Sequence, residues 1–137
     1  MLSLFVYGSL KEGFPNFHVN QGRRLPGEFR TVQRHPLYLI AGRLPCLLPE
    51  PGEGLHVLGQ LFEVSPEALA RMDELERVGQ PGGYTRESIL VQRMATPQPA
   101  PVAAFVYLQS RAMLDAVGTH LGPLELYTLE HAKALRW

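Results

Sequence analysis

Two short stretches of this chain carry residue types able to do chemistry on a small molecule. The first is Glu76, near the end of a segment with helical periodicity. At about 100° per residue, with Leu69 taken as zero, Ala68, Met72 and Leu75 define an apolar arc of roughly 240° to 360°, and Glu76 falls at about 340°, inside it. Glu67, Arg71 and Glu74 point the opposite way and Asp73 sits at the boundary. A carboxylate on a core-facing stripe must find partners or take up a proton, because desolvation penalises its charged form. A carboxyl with a raised pKa suits proton transfer near neutral pH. The competing readings are a frayed helix end that lets Glu76 reach water, and a structural ion pair with a cation such as Arg86. The second stretch is Tyr7-Gly8-Ser9-Leu10, where an apolar run stops at glycine. Such a turn exposes backbone amides to a carboxylate or carbonyl oxygen, although most glycines at strand ends serve ordinary turns.

Other chemistries find little support. Ser9 lacks the flanking glycines of a nucleophile elbow, since Tyr7 and Lys11 stand there. His18, His35, His56, His120 and His131 are scattered without metal-ligand spacing, and the single Cys46 excludes both an internal disulfide and a cysteine-based metal centre. Neither Gly8 nor Gly13 leads into the Lys-Ser or Lys-Thr of a phosphate-binding loop. No metal and no cofactor is therefore expected.

The elements that must position these residues are mostly strands. Leu2 to Tyr7 reads as a buried strand, followed by strand-like runs at 28–33, 36–41, 55–64, 84–93 and 102–108. Ser65-Pro66 supplies a cap and a proline at the first helical position, and good helix formers continue to Arg77 before Gly79 and Pro81. Thr128 caps a shorter expected helix through Ala134, and 94–101, with three prolines, reads as a surface loop. The expected fold is α+β, a small mixed barrel-like sheet with flanking helices, in one domain over 1–137.

The 137 residues are 45% hydrophobic, enough for one substantial core. Thirteen basic and 13 acidic residues cancel, which speaks against nucleic acid as a partner. The opening apolar run is too short for a signal core or a membrane span, so neither a membrane partner nor a membrane address is expected. One unpaired cysteine suits a reducing cytoplasm. Oligomeric state is not legible.

Tyr7-Gly8-Ser9-Leu10-Lys11 with Gly13, Pro15 and Asn16, then Met72-Asp73-Glu74-Leu75-Glu76, then Tyr84-Thr85-Arg86, resemble the gamma-glutamylcyclotransferase-like (AIG2-like) family, and most of all its gamma-glutamylamine cyclotransferase branch. Pro36 to Gly42, Gly59 to Val64 and Phe105 to Tyr107 follow in the family's order, so the resemblance extends over the first 108 residues. It implies a compact β-barrel, a small gamma-glutamyl substrate closed to 5-oxoproline with release of an amine, substrate binding at Tyr7, Gly8, Ser9 and Leu10, and Glu76 as catalytic acid/base. Tyr84 and Tyr107 are expected in the cavity wall or as hydrogen-bond partners of Glu76. Two features depart from the pattern: seven residues separate Glu76 from Tyr84, and the segment after Leu108 carries no matching motif. A non-catalytic binding module of the same fold, and an assembly protein using the barrel surface, are the alternatives from other classes.

Overall fold

The computed structural model describes residues 1–97, 99–118 and 120–133. Five strands close a barrel: β1 (Leu2–Val6), β3 (Phe29–Thr31), β6 (Leu58–Val64), β7 (Thr85–Arg93) and β8 (Val102–Leu108). Around the ring, β1 pairs antiparallel with β6, β6 with β3, β3 with β7, and β7 with β8. A parallel contact between Leu4 and Phe105 then joins β8 back to β1. Closure gives each of the five barrel strands a partner on both sides. The short β2 (Arg23–Arg24) adds to the far end of β6, and β4 (Leu37–Ile40), β5 (Leu44–Leu47) and β9 (His120–Leu121) form a separate small sheet.

Two-residue alternation divides β1 between two cores. Phe5, and Tyr7 just beyond the strand, face the barrel interior with Phe29, Leu61, Val91, Ala104, Val106 and Leu108. Leu4 and Val6 face outward beneath helix α1 (Pro66–Leu75), where Phe62, Val64, Ala68, Leu69, Met72 and Tyr107 join them. Burial on both faces explains why β1 reads as an apolar run interrupted only by Ser3.

At the β1–β6 seam, Gly59 permits the closest approach. A side-chain carbon there meets the Val6 carbonyl at 2.4 Å and the Phe5 ring at 2.7 Å. Gly59→Ala should cost about 3 kcal/mol through overpacking. Urea unfolding should show a lower midpoint with an unchanged m-value.

Helix α1 starts as its sequence signals. Ser65 accepts a hydrogen bond from the Ala68 amide and Pro66 occupies the first turn. It ends earlier than expected, at Leu75, because the chain turns through a left-handed Arg77 (φ 57°). The Arg77 amide donates to the Glu74 carbonyl at 3.1 Å and the Val78 amide to the Asp73 carbonyl at 3.0 Å, the paired bonds of a Schellman stop. Val78 packs back onto the cluster holding Met72. Arginine stands where glycine is usual, so sequence gave little sign of this ending.

Several short elements escape sequence reading, β2 among them. In β5, Pro45 argues against a strand, yet among the described residues β5 pairs only with β4 and so tolerates the missing donor. Helix α2 (Arg111–Val117) is signalled by Ser110 at its start and left-handed Gly118 at its end, cues that the motif-poor segment obscured. The two-residue β9 is too short to carry a pattern. Thr128 caps helix α3 (Leu129–Ala132) through a reciprocal bond with His131, while Ala134, the expected end of this helix, lies outside the described residues. Among the described residues no helix is long and apolar enough to cross a membrane.

Candidate active site

A cavity of about 170 Å³ opens where β1 leaves the barrel, and both chemically interesting stretches line it. Phe5 to Leu10 form one side. Leu75 and Glu76, from the end of α1, form another, with Leu44 and Pro45 of β5, Tyr84 and Tyr107 completing the wall. Residues far apart in sequence meet because the Schellman stop presents Glu76 to the barrel end from which the Gly8 loop emerges.

The loop is built to keep its backbone still and its amides open. Lys11 and Asn16 amides close turns onto the Gly8 and Ser9 carbonyls at 3.1 and 2.9 Å, and the Asn20 side chain donates to the Leu10 carbonyl at 3.0 Å. The Asn16 side chain donates to Ser9 Oγ at 2.9 Å. Among the described residues, no protein acceptor takes the Gly8, Ser9 or Leu10 amides. Gly8 has a steric reason to be glycine, since a side-chain carbon would stand 2.9 Å from the Pro45 ring across the cavity. Lys11 turns away from the cavity. It is buried, donates to the Tyr127 carbonyl at 2.5 Å and lies 4.3 Å from the Phe14 ring centre, with burial lowering its pKa to about 8.

Glu76 is held by its backbone at both sides. Its amide donates to the Met72 carbonyl and its carbonyl accepts from the Tyr84 amide, each at 2.9 Å. The side chain is half-buried, and no donor reaches its carboxyl among the described residues. Burial alone lifts its pKa from 4.5 to about 7. The competing ion pair with Arg86 does not form: Arg86 bonds Asp73 at 2.7 Å instead.

Tyr84 and Tyr107 both line the cavity, but neither hydrogen-bonds Glu76. Tyr84 donates to the Pro45 carbonyl at 2.8 Å and lies 3.4 Å from the Cys46 sulfur; Tyr107 donates to Asp73 Oδ1 at 2.7 Å. Tyr7 donates to the Tyr107 carbonyl at 2.6 Å and accepts from the Leu47 amide at 3.3 Å, tying three strands together at the cavity floor. Burial, foremost, raises the pKa of Tyr7, Tyr84 and Tyr107 and pushes the Cys46 thiol up to about 12, so all four stay protonated and the thiol is no nucleophile.

Leu44, Pro45 and Asn16 were not singled out as cavity residues by sequence. Asn16 had a signal in its place behind the glycine loop, whereas Leu44 and Pro45 arrive only through the tertiary fold. Asp73, which bonds Tyr107 at the cavity edge, sat at the boundary of the helical arc.

The fold and cavity together define a small closed-barrel protein with a glutamate in the wall of its cavity. Residues 4–127 match the family described as gamma-glutamyl cyclotransferase, AIG2-like, and the chain belongs to this enzyme family. The human gamma-glutamylaminecyclotransferase is 33% identical in a match covering 100% of this chain and 96% of that protein. The crystal structure of an AIG2-like protein from Mus musculus superposes with a TM-score of 0.78 at 33% identity, covering 100% of this chain and 95% of the mouse chain. Relatives from Arabidopsis thaliana and Drosophila melanogaster are 40% and 38% identical over 63% and 69% of this chain, matches that span only 49% and 64% of those longer proteins. Barrel and family both agree with the sequence expectation.

Proposed function

We propose that the protein is a gamma-glutamyl cyclotransferase acting on small gamma-glutamyl compounds, with Glu76 as general acid and base and the Tyr7–Leu10 loop as substrate cradle. In such a substrate the α-amine and the γ-carbonyl belong to one chain, so a pocket that holds the folded-back conformer makes the attack intramolecular. The amine nitrogen forms the new bond to the γ-carbon while Glu76 removes its proton. The same proton then goes to the departing nitrogen as the old carbon–nitrogen bond breaks, which yields 5-oxoproline and a free amine. A carboxyl titrating near pH 7 serves as both acceptor and donor at little cost.

Support comes above all from the Glu76 carboxyl: it faces the cavity without a protein donor, and burial brings its pKa to about 7. Gly8, Ser9 and Leu10 line the same cavity, and among the described residues their amides have no protein acceptor. They suit the substrate carboxylate or the charge that develops on the carbonyl oxygen. A buried free thiol at Cys46 suits the reducing cytoplasm as the place of action.

The test is 5-oxoproline release from a panel of gamma-glutamyl amino acids, a gamma-glutamylated lysine side chain and glutathione. Turnover of at least one member is expected. Binding of 5-oxoproline without turnover of any member would replace this reading with a non-catalytic binding module.

A further inference from the structure

Three tyrosines and a thiol stand around Glu76, and each tyrosine hydroxyl is bonded to something else. Tyr7, from the end of β1, gives its proton to the Tyr107 carbonyl, and Tyr84, at the entry to β7, gives its proton to the Pro45 carbonyl. Both acceptors are backbone atoms. Tyr107, from β8, is different, because its acceptor is a side chain: Asp73 Oδ1, at 2.7 Å.

Asp73 and Glu76 lie three residues apart at the end of α1, so their side chains are neighbours on one helix face. The Tyr107 hydroxyl bonds the first of these carboxyl groups and feels the charge of the second. Arg86 fixes that choice by holding the other oxygen of Asp73 at 2.7 Å, its guanidinium lying 4.9 Å from the Phe105 ring centre. The charged and titratable groups facing Glu76 are thus Tyr7, Cys46, Tyr84 and Tyr107, with the Asp73–Arg86 pair behind the last; Arg77 is exposed.

A hydroxyl donated to a carboxylate favours its charged form and lowers its pKa. We infer that Asp73, set by Arg86, is a positioning residue: it captures the Tyr107 hydroxyl and so keeps Glu76 free of a donor and able to carry a proton in either direction. This rests on Glu76 as the acid/base. Removing Asp73 leaves Glu76 as the carboxyl next to the released hydroxyl.

The experiment is a carbon NMR titration of the Glu76 carboxyl, assigned by its absence from Glu76→Gln, alongside the pH profile of kcat/KM. Asp73→Ala should lower the Glu76 midpoint by about one pH unit or more, and the double variant Asp73→Ala/Tyr107→Phe should restore it. Tyr107→Phe alone should leave it unmoved. An unmoved midpoint in Asp73→Ala overturns the inference. So does a midpoint that stays low in the double variant, since the bare Arg86 charge would then be the cause. Should Asp73→Ala fail to fold, Tyr107→Phe decides: a raised midpoint means that Tyr107 already donates to Glu76 and sinks the idea, while an unmoved one upholds it. The titration reads Glu76 whether or not substrate turns over. Failure of the catalytic reading shows separately, as undiminished turnover by Glu76→Gln.

Discussion

Glu76→Gln should fold, bind 5-oxoproline and release it from substrate about 10³-fold more slowly than the wild-type protein, within the range expected for loss of a positioned acid/base. The isosteric amide keeps the shape of the cavity wall and the backbone bonds to Met72 and Tyr84, but it cannot carry a proton. The fall should therefore lie in kcat, with KM little changed. In the wild-type protein kcat/KM should rise with pH through a limb centred at about 7, the pKa to which burial lifts the carboxyl. The same shift has a consequence for stability. Because the folded state holds the Glu76 proton more tightly than the unfolded chain, the neutral form favours folding below pH 4.5, and this contribution is lost as pH rises through about 7. Glutamine never ionises. The variant should thus match the wild type in acid and exceed it above pH 7, by an amount bounded at about 3 kcal/mol and reduced by the water that reaches the cavity. Denaturant unfolding at pH 4 and pH 8 reads the difference. Undiminished turnover in a folded variant would remove Glu76 from the mechanism.

The sequence made Glu76 legible because local periodicity alone puts it on the apolar face, whatever the rest of the chain does. Leu75, assigned to the same face, is instead 38% exposed at the cavity mouth, since the helix stops there and the arc no longer describes a packed surface. Barrel strands with long apolar or alternating runs were equally readable, and ordered motifs indicated the closed fold. What stayed hidden depends on contacts remote in sequence. No local pattern says that Pro45 will face Gly8, that Asp73 will prefer Tyr107 and Arg86 over solvent, or that Lys11 will anchor the Gly8 loop to the carbonyl of Tyr127, 116 residues away. The early stop of α1 was hidden for a different reason: an arginine accepts the left-handed position usually left to glycine.

Gly83→Ala should reduce kcat/KM by about 10²-fold, the size of effect produced by displacing a reacting group by roughly 1 Å. The seven-residue connection from Glu76 to Tyr84 looks long in sequence, yet it is folded tightly on itself. The Gln80 amide donates to the Arg77 carbonyl and the Gly83 amide to the Gln80 carbonyl, each at 3.0 Å, and Gln109 donates to the Gly82 carbonyl at 3.2 Å. Gly83 lies so close to Arg77 that an added side-chain carbon would stand 1.9 Å from the Arg77 carbonyl oxygen. Backbone crowds backbone there, so no rotamer change relieves the clash and the loop must move. Its two ends are Glu76 and Tyr84, joined by their own hydrogen bond, and both line the cavity. Stability should fall too, by about 2–3 kcal/mol, as expected of overpacking. Gly79→Ala is the control from the same loop. Gly79 has φ 83° but open space around it, so alanine there adds only backbone strain of about 1–2 kcal/mol and no collision to transmit. Gly79→Ala should therefore lose some stability while keeping kcat/KM near the wild-type value. Equal losses of activity in the two variants would mean that loop stability alone governs turnover. A loss confined to Gly83→Ala assigns the connection its role in function: it is a fixed strut that sets the distance between Glu76 and the opposite wall.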